Sequence, residues 1–265
     1  MTIREAVILG AVQGLTEFLP VSSSGHLVLL QKIFGIEEPV LLFDTLLHLG
    51  TLVAVFAVLG QDIWRLLRKP VQRLTGLLIL ATLPMVAVAL LFKDRVEAAF
   101  ASAEYLGYAF LFTGLLLFIS DRLSRRSVKP KNEYAMQWLD ALIIGALQAV
   151  AIIPGVSRSG STLSGALIRG LNREFGARFS FLLSIPAILG ALVLQAKDFL
   201  ETSDYIQIDI APYLAGTITA GVVGFFSVKL MLSLVRNRGL WGFAVYVSIL
   251  GALVLADQQF FSMFF

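Results

Sequence analysis

Two short polar stretches interrupt an otherwise apolar chain, and both carry side chains suited to phosphate chemistry. The first is QGLTEFLPVSSSGH, residues 13–26. Gln13 and Glu17 stand four apart on one helical face, so both can address the same ligand or cation. Ser22, Ser23, Ser24, Gly25 and His26 then supply hydroxyls, a flexible glycine and an imidazole within a few residues. Ser23, three residues before His26, is placed to reach the ring by hydrogen bonding, which is the geometry of an activated nucleophile. Ser22 and Ser24 serve equally well as helix caps or as hydrogen-bond partners of a ligand. The second stretch, PGVSRSGST at residues 154–162, adds a permanent cation, Arg158. A guanidinium pairs bidentately with phosphoryl oxygens, and Ser157, Ser159, Gly160, Thr162 and the amides of a helix N-terminus can complete the cradle. Carboxylate, hydroxyl, imidazole and guanidinium together point to phosphoryl transfer.

The elements that position these groups must lie in lipid. Of 265 residues, 57% are hydrophobic and 15% charged, with a mean hydropathy of +0.83. Apolar stretches recur at 40–60, 74–92, 105–120, 175–196, 210–235 and 240–256, most near the roughly 20 residues that cross a bilayer. Six spans are therefore expected. The chain has no cysteine, which excludes a disulfide framework and a thiolate metal site, and its net charge of +3 is spread over short loops rather than gathered into a nucleic-acid surface. Arg4 and the apolar residues after it resemble a signal peptide in outline, yet Gln13 and Glu17 interrupt them, so this segment is expected to be structure.

A repeat accounts for the polar stretches. A displacement of 135 residues sets Ala6, Ile8, Gly10, Ala11, Gln13, Val21, Ser22, Ser24 and Gly25 over the same residue types at Ala141, Ile143, Gly145, Ala146, Gln148, Val156, Ser157, Ser159 and Gly160. An odd number of spans, three, separates the two copies, so the halves, 1–133 and 134–265, insert with opposite orientation. Each copy is a short apolar helix, a Pro/Gly/Ser turn and a second short apolar stretch, which suits a re-entrant pair of half-helices. The expected fold is an all-α integral membrane protein with an inverted-topology repeat, six transmembrane helices and two re-entrant half-helix pairs whose tips meet near the midplane. Ionisable groups at that depth are functional by default.

Both stretches resemble the signatures of the undecaprenyl-diphosphate phosphatases of the bacitracin-resistance (BacA) type. QGLTEFLPVSSSGH is similar to the first and PGVSRSGSTLSGAL to the second, and the resemblance extends through LHLGTLVAV to essentially the whole chain. It implies an enzyme of the bacterial cytoplasmic (inner) membrane that removes one phosphate from undecaprenyl diphosphate and so recycles the lipid carrier of peptidoglycan precursors. It also implies a divalent cation, Mg or Ca, near Gln13 and Glu17, with Ser23 as nucleophile, His26 as its proton-transfer partner and Arg158 on the diphosphate. Gln13 is the uncharged form of its motif position and can bind a cation only through its carbonyl oxygen. Serine and water remain alternatives as the attacking group, and the sequence leaves open whether two copies pair as a homodimer. A reading of another class, a transporter or flippase for an anionic or prenyl-phosphate substrate, uses the same inverted repeat but has no need of a nucleophile. His48 is expected to be a polar helix-packing residue, and Asp44, one turn earlier, to line the external mouth.

Loop charges orient the chain. The segments 61–73 and 121–133 are rich in arginine and lysine and read as cytoplasmic, whereas 93–104 and 197–209 carry more acids than bases and read as external, as do Glu37 and Glu38. Both termini are then external, and the first tip is entered from outside. Single cysteines placed at Ser203 and Ser127 test this: an impermeant thiol reagent applied to intact cells is expected to label only the former. Labelling at 127 alone would reverse the orientation.

Overall fold

The computed structural model describes residues 1–36, 41–125, 129–201, 209–261 and 263–264; Glu37, Glu38, Ser127 and Ser203 lie outside them. The described residues form α-helices: α1 Ile3–Thr16, α2 Ser23–Ile33, α3 Leu41–Val58, α4 Gly60–Arg68, α5 Arg73–Leu91, α6 Lys93–Ser102, α7 Leu106–Ser124, α8 Trp138–Val150, α9 Arg158–Ile168, α10 Arg173–Glu201, α11 Ile210–Asn237 and α12 Trp241–Ala256. Five of them, α5, α7, α10, α11 and α12, are long and apolar enough to cross a membrane, and α3 with α4 makes a sixth candidate, bent by 81° at the join. The protein is thus an all-α, multi-pass integral membrane protein.

The two polar stretches fold alike. α1 and α8 are 14 and 13 residues long and α2 and α9 are 11 each, all too short to cross a bilayer. The register of 135 carries over to the helices themselves, because α1 and α8 begin at Ile3 and Trp138, α2 and α9 at Ser23 and Arg158, and α7 and α12 at Leu106 and Trp241. Even the caps correspond. Glu5 accepts from the Thr2 amide and Asp140 from the Gln137 amide at equivalent helix starts, satisfying backbone donors that the helices leave unpaired.

Small residues let the helices approach. α1 packs on α11 through Gly10 and Gly14, which face Gly216, Ala220 and Gly224, and Gly50 of α3 meets Thr217 of the same helix. A methyl group on Gly14 would come within 2.7 Å of the Ala220 carbonyl oxygen. In the second half Gly145 of α8 meets the backbone of Ala81 in α5. In lipid, where apolar side chains gain little by leaving the solvent, such close backbone contact supplies much of the association between helices.

Two segments expected as loops are helical. Residues 61–73 contain α4, which presents Trp64 and Leu67 outward and buries Ile63, while Arg68 lies over the Trp64 ring; alternation of basic and apolar residues at helical spacing suits an element lying along a membrane surface. Residues 93–104 contain α6. The basic segments meet at one end of the molecule: Arg178 bonds Asp62 at 2.7 Å, Arg65 bonds Glu133 at 3.0 Å, Arg173 bonds Asp121 at 2.7 Å and Arg236 bonds Glu174 at 2.8 Å. Beside them Asp140 holds both Lys131 and Arg169.

Close packing and open space make opposite predictions for the same substitution. Gly10→Ala drives a methyl into the Gly216 backbone and is expected to destabilise the protein by on the order of 1–3 kcal/mol. Gly76→Ala in α5, where an added methyl meets nothing within 4 Å, is expected to stabilise by up to about 1 kcal/mol. Thermal unfolding of the detergent-solubilised protein, followed by circular dichroism, separates the two; equal effects would mean that α1 and α11 are not in backbone contact.

Candidate active site

The tips of the two half-helix pairs meet. The Gly155 amide donates to Ser24 Oγ at 3.4 Å, and Ser159 Oγ donates to the Leu19 carbonyl at 3.0 Å. Gly25 permits this contact, since a side chain there would strike the Phe110 ring and the Gly155 backbone. Ser22 caps α2 by accepting from the Gly25 amide, and Ser157 caps α9 by accepting from the Gly160 amide. Ser23 and Arg158 are therefore the first residues of two helices, at equivalent repeat positions. Each is held at a helix N-terminus, where the positive end of the dipole favours an anion.

Glu17 lies between them and is almost fully buried. Its Oε1 accepts from Arg158 Nη2 at 2.5 Å, and its Oε2 accepts from Ser23 Oγ at 2.6 Å and Gln13 Nε2 at 3.0 Å. His48 Nε2 stands 3.5 Å from the same Oε2. A carboxylate so enclosed would cost several kcal/mol in apolar surroundings without a cation and donors around it, and here it has both. The distance from Ser23 is that of a short, charge-assisted bond, so Glu17 is placed to receive the serine proton.

This differs from the expected Ser23–His26 pair. The ring of His26 is engaged elsewhere: Nδ1 bonds the Ser22 carbonyl at 2.7 Å and Nε2 bonds the Tyr246 hydroxyl at 2.8 Å. The reason is local: Ser22 precedes His26 by one helical turn, so its carbonyl accepts from both the amide and the ring of His26, as the Asp44 carbonyl accepts from the His48 ring. Ser22 itself has φ 71 and ψ 94, a conformation that costs a non-glycine residue on the order of 1–3 kcal/mol. The counterpart Ser157, at φ −69, is relaxed.

His48 is also placed differently from expectation. It approaches the central carboxylate, while its Nδ1 donates to the Asp44 carbonyl at 2.7 Å. Asp44 accepts from Gln31 at 2.8 Å and ties α3 to α2. Thr162, a candidate ligand donor, instead bonds the Arg158 carbonyl at 2.9 Å and Ser180 at 2.5 Å, joining α9 to α10. A lone tyrosine in an apolar span carries no spacing signal, so nothing in the sequence around it points to Tyr246, and a lone histidine such as His48 reads as a packing residue rather than a neighbour of Glu17. The repeat held one clue, since Tyr246 falls opposite Leu111 and His48 opposite Leu183.

Among the described residues no group of three or more His, Asp or Glu is arranged to hold a metal. The donors that exist nevertheless suit a hard cation. Gln13 Oε1 is buried without a hydrogen-bond partner, beside the Glu17 carboxylate, and Mg-type ions are commonly held by one or two carboxylates together with substrate phosphate oxygens.

Short paired helices whose tips meet and enclose a serine, a carboxylate and an arginine define a membrane protein with its polar site buried between the tips. The profile of the bacitracin resistance protein BacA family matches residues 6–253, and the chain belongs to that family. Similar proteins include the undecaprenyl-diphosphatase of Carboxydothermus hydrogenoformans, 51% identical over 96% of this chain and 97% of the relative. The undecaprenyl-diphosphatase of Methanosphaera stadtmanae is 39% identical over 96% and 98%. Undecaprenyl-diphosphatase 4 of Bacillus thuringiensis subsp. konkukian is 42% identical over 96% of each.

Proposed function

We propose that this protein is an undecaprenyl-diphosphate phosphatase, hydrolysing the lipid diphosphate to undecaprenyl phosphate and phosphate and so returning the carrier for peptidoglycan and other envelope polymers. The observation that carries the reading is the Glu17 carboxylate, bonded on one oxygen to Ser23 and on the other to Arg158. The phosphatase names of the relatives favour hydrolysis over carriage of the lipid.

Ser23 Oγ attacks the terminal phosphorus as its proton passes to Glu17 Oε2. The bond from phosphorus to the bridging oxygen breaks, and undecaprenyl phosphate leaves. Taking up the proton cancels the charge on Glu17, which frees Arg158 to pair with the non-bridging oxygens while negative charge is greatest there. Glu17 returns its proton to the departing phosphate oxygen, then draws one from the water that attacks the phosphoserine, and that proton restores the Ser23 hydroxyl as phosphate is released. The amides at the starts of α2 and α9 assist in holding phosphoryl oxygens. A divalent cation, Mg or Ca, would be held by Glu17 and Gln13 Oε1 and would supply further positive charge against the diphosphate. We assign the protein to the bacterial cytoplasmic membrane, with halves 1–133 and 134–265 inserted oppositely, the site opening to the external side, and the prenyl tail entering sideways between helices.

Detergent-purified protein is expected to release phosphate from undecaprenyl diphosphate; movement of the lipid in vesicles without phosphate release would favour the carrier instead. Ser23→Ala should remove nearly all hydrolysis, whereas Ser22→Ala and Ser24→Ala retain a measurable fraction. Because Ser23 and Glu17 act as a unit, the Ser23→Ala, Glu17→Gln double variant should be little worse than either single one. Wild-type turnover in Ser23→Ala would make water the attacking group.

Arg158→Lys keeps the charge and loses the planar fork, so at least a tenfold fall in activity is expected, about 1.4 kcal/mol or more. Near-normal turnover would confine Arg158 to a structural part. Glu17→Gln should also weaken the dependence on added cation, and an unchanged titration would remove Glu17 as a ligand.

A further inference from the structure

The hydroxyl that meets an imidazole in this protein belongs to α12. Tyr246 Oη lies 2.8 Å from His26 Nε2, and the two rings are nearly parallel, 13° apart in orientation with centroids at 5.8 Å. The direction of the bond follows from the other side of the ring. A carbonyl oxygen only accepts, so Nδ1 of His26 donates to Ser22 at 2.7 Å, and in the neutral ring Nε2 is left as the acceptor of the Tyr246 O–H. Phe110 closes a third side, edge-on at 5.6 Å. The imidazole is thus fixed in position, rotation and tautomer by groups from three helices.

We propose that Tyr246 is a positioning residue of the active site: it holds the His26 ring with Nε2 directed away from Ser23, so that Glu17 rather than His26 receives the serine proton. This rests on the phosphatase reading above. The repeat supports a specific role, because the symmetry-equivalent pair has neither partner: Ser161 stands at the position of His26 and Leu111 at that of Tyr246. The tyrosine is about half exposed at the helix surface, so its ring is not needed to fill the core, and its hydroxyl turns inward to the histidine. An orienting hydrogen bond of this kind governs which proton acceptor a site uses.

Tyr246→Phe keeps the ring and removes only the hydroxyl. The chain contains two histidines, so in protein made with isotope-labelled histidine, the signal lost in His48→Gln identifies His48 and leaves His26 to be read by nitrogen NMR. Loss of the bond is expected to shift the His26 Nε2 resonance towards that of a free acceptor nitrogen and, by freeing the ring to compete with Glu17 for the Ser23 proton, to lower kcat several-fold with KM unchanged. A fluorinated tyrosine at 246, a stronger donor of the same shape, should move the Nε2 resonance the other way, and it keeps the test decisive if the phenylalanine variant does not fold. An unmoved Nε2 resonance, an unchanged kcat, or a rise in KM alone would each overturn the proposal. A wild-type protein that releases no phosphate would instead overturn the phosphatase reading, and the resonance would still report on the bond.

Discussion

A carboxylate buried among the helices of a membrane protein must bring its own neutralising surroundings, and the arrangement about Glu17 is built on that requirement. No residue of its own half supplies the guanidinium. The ion pair with Arg158 spans 141 residues of sequence and can form only when the tips of the two half-helix pairs are in contact. That contact in turn needs glycine at position 25, where Phe110 and Gly155 leave no room for a side chain. It also needs half-helices of matched length, so that both N-termini arrive at the same depth. Fold and site are therefore specified by one electrostatic condition, and neither half of the chain meets it alone.

The same condition links rest to reaction. Arg158 and the Ser23 hydroxyl sit on different oxygens of one carboxylate, so the protonation of Glu17 and the freedom of Arg158 rise together. A strong ion pair would be a poor feature if it tied up the phosphate-binding group throughout. In the proposed reaction it is weakened when the Ser23 proton passes to Glu17, as charge builds on the phosphoryl oxygens. The Ser22 carbonyl belongs to this arrangement as well, because it engages the His26 ring while the Glu17 carboxylate accepts from Ser23.

Much of this was legible in the sequence. The six apolar stretches correspond to helices within a few residues, and the repeat at 135 gave both tip positions, because duplicated glycines, serines and a glutamine stand out against an apolar background. Gln13, Glu17, Ser23 and Arg158 were found together because their chemistry is conspicuous in lipid. What stayed hidden was the pairing inside the site. Spacing favours Ser23 with His26, since three residues on a helix are neighbours, but the ring bonds the carbonyl one turn earlier and the hydroxyl of Tyr246 from another helix, and neither partner is announced by the spacing of the motif. Tyr246 and His48 lie 220 and 31 residues from the groups they meet, and nothing local marks them. The amphipathic α4 was read as a loop because its charges were counted and its periodicity was not.

The equivalence of Ser23 and Arg158 has a consequence for symmetry. Two identical chains related by a two-fold axis must place the same residue at both tips, so such a pair could present two serines or two arginines to a shared carboxylate, but never one of each. A single polypeptide is free of that restriction. One tip can carry the proposed attacker and the other the proposed anion clamp. Ser161 and Ile152 stand where the first half has His26 and Glu17, so the two repeats contribute different groups to the proposed site.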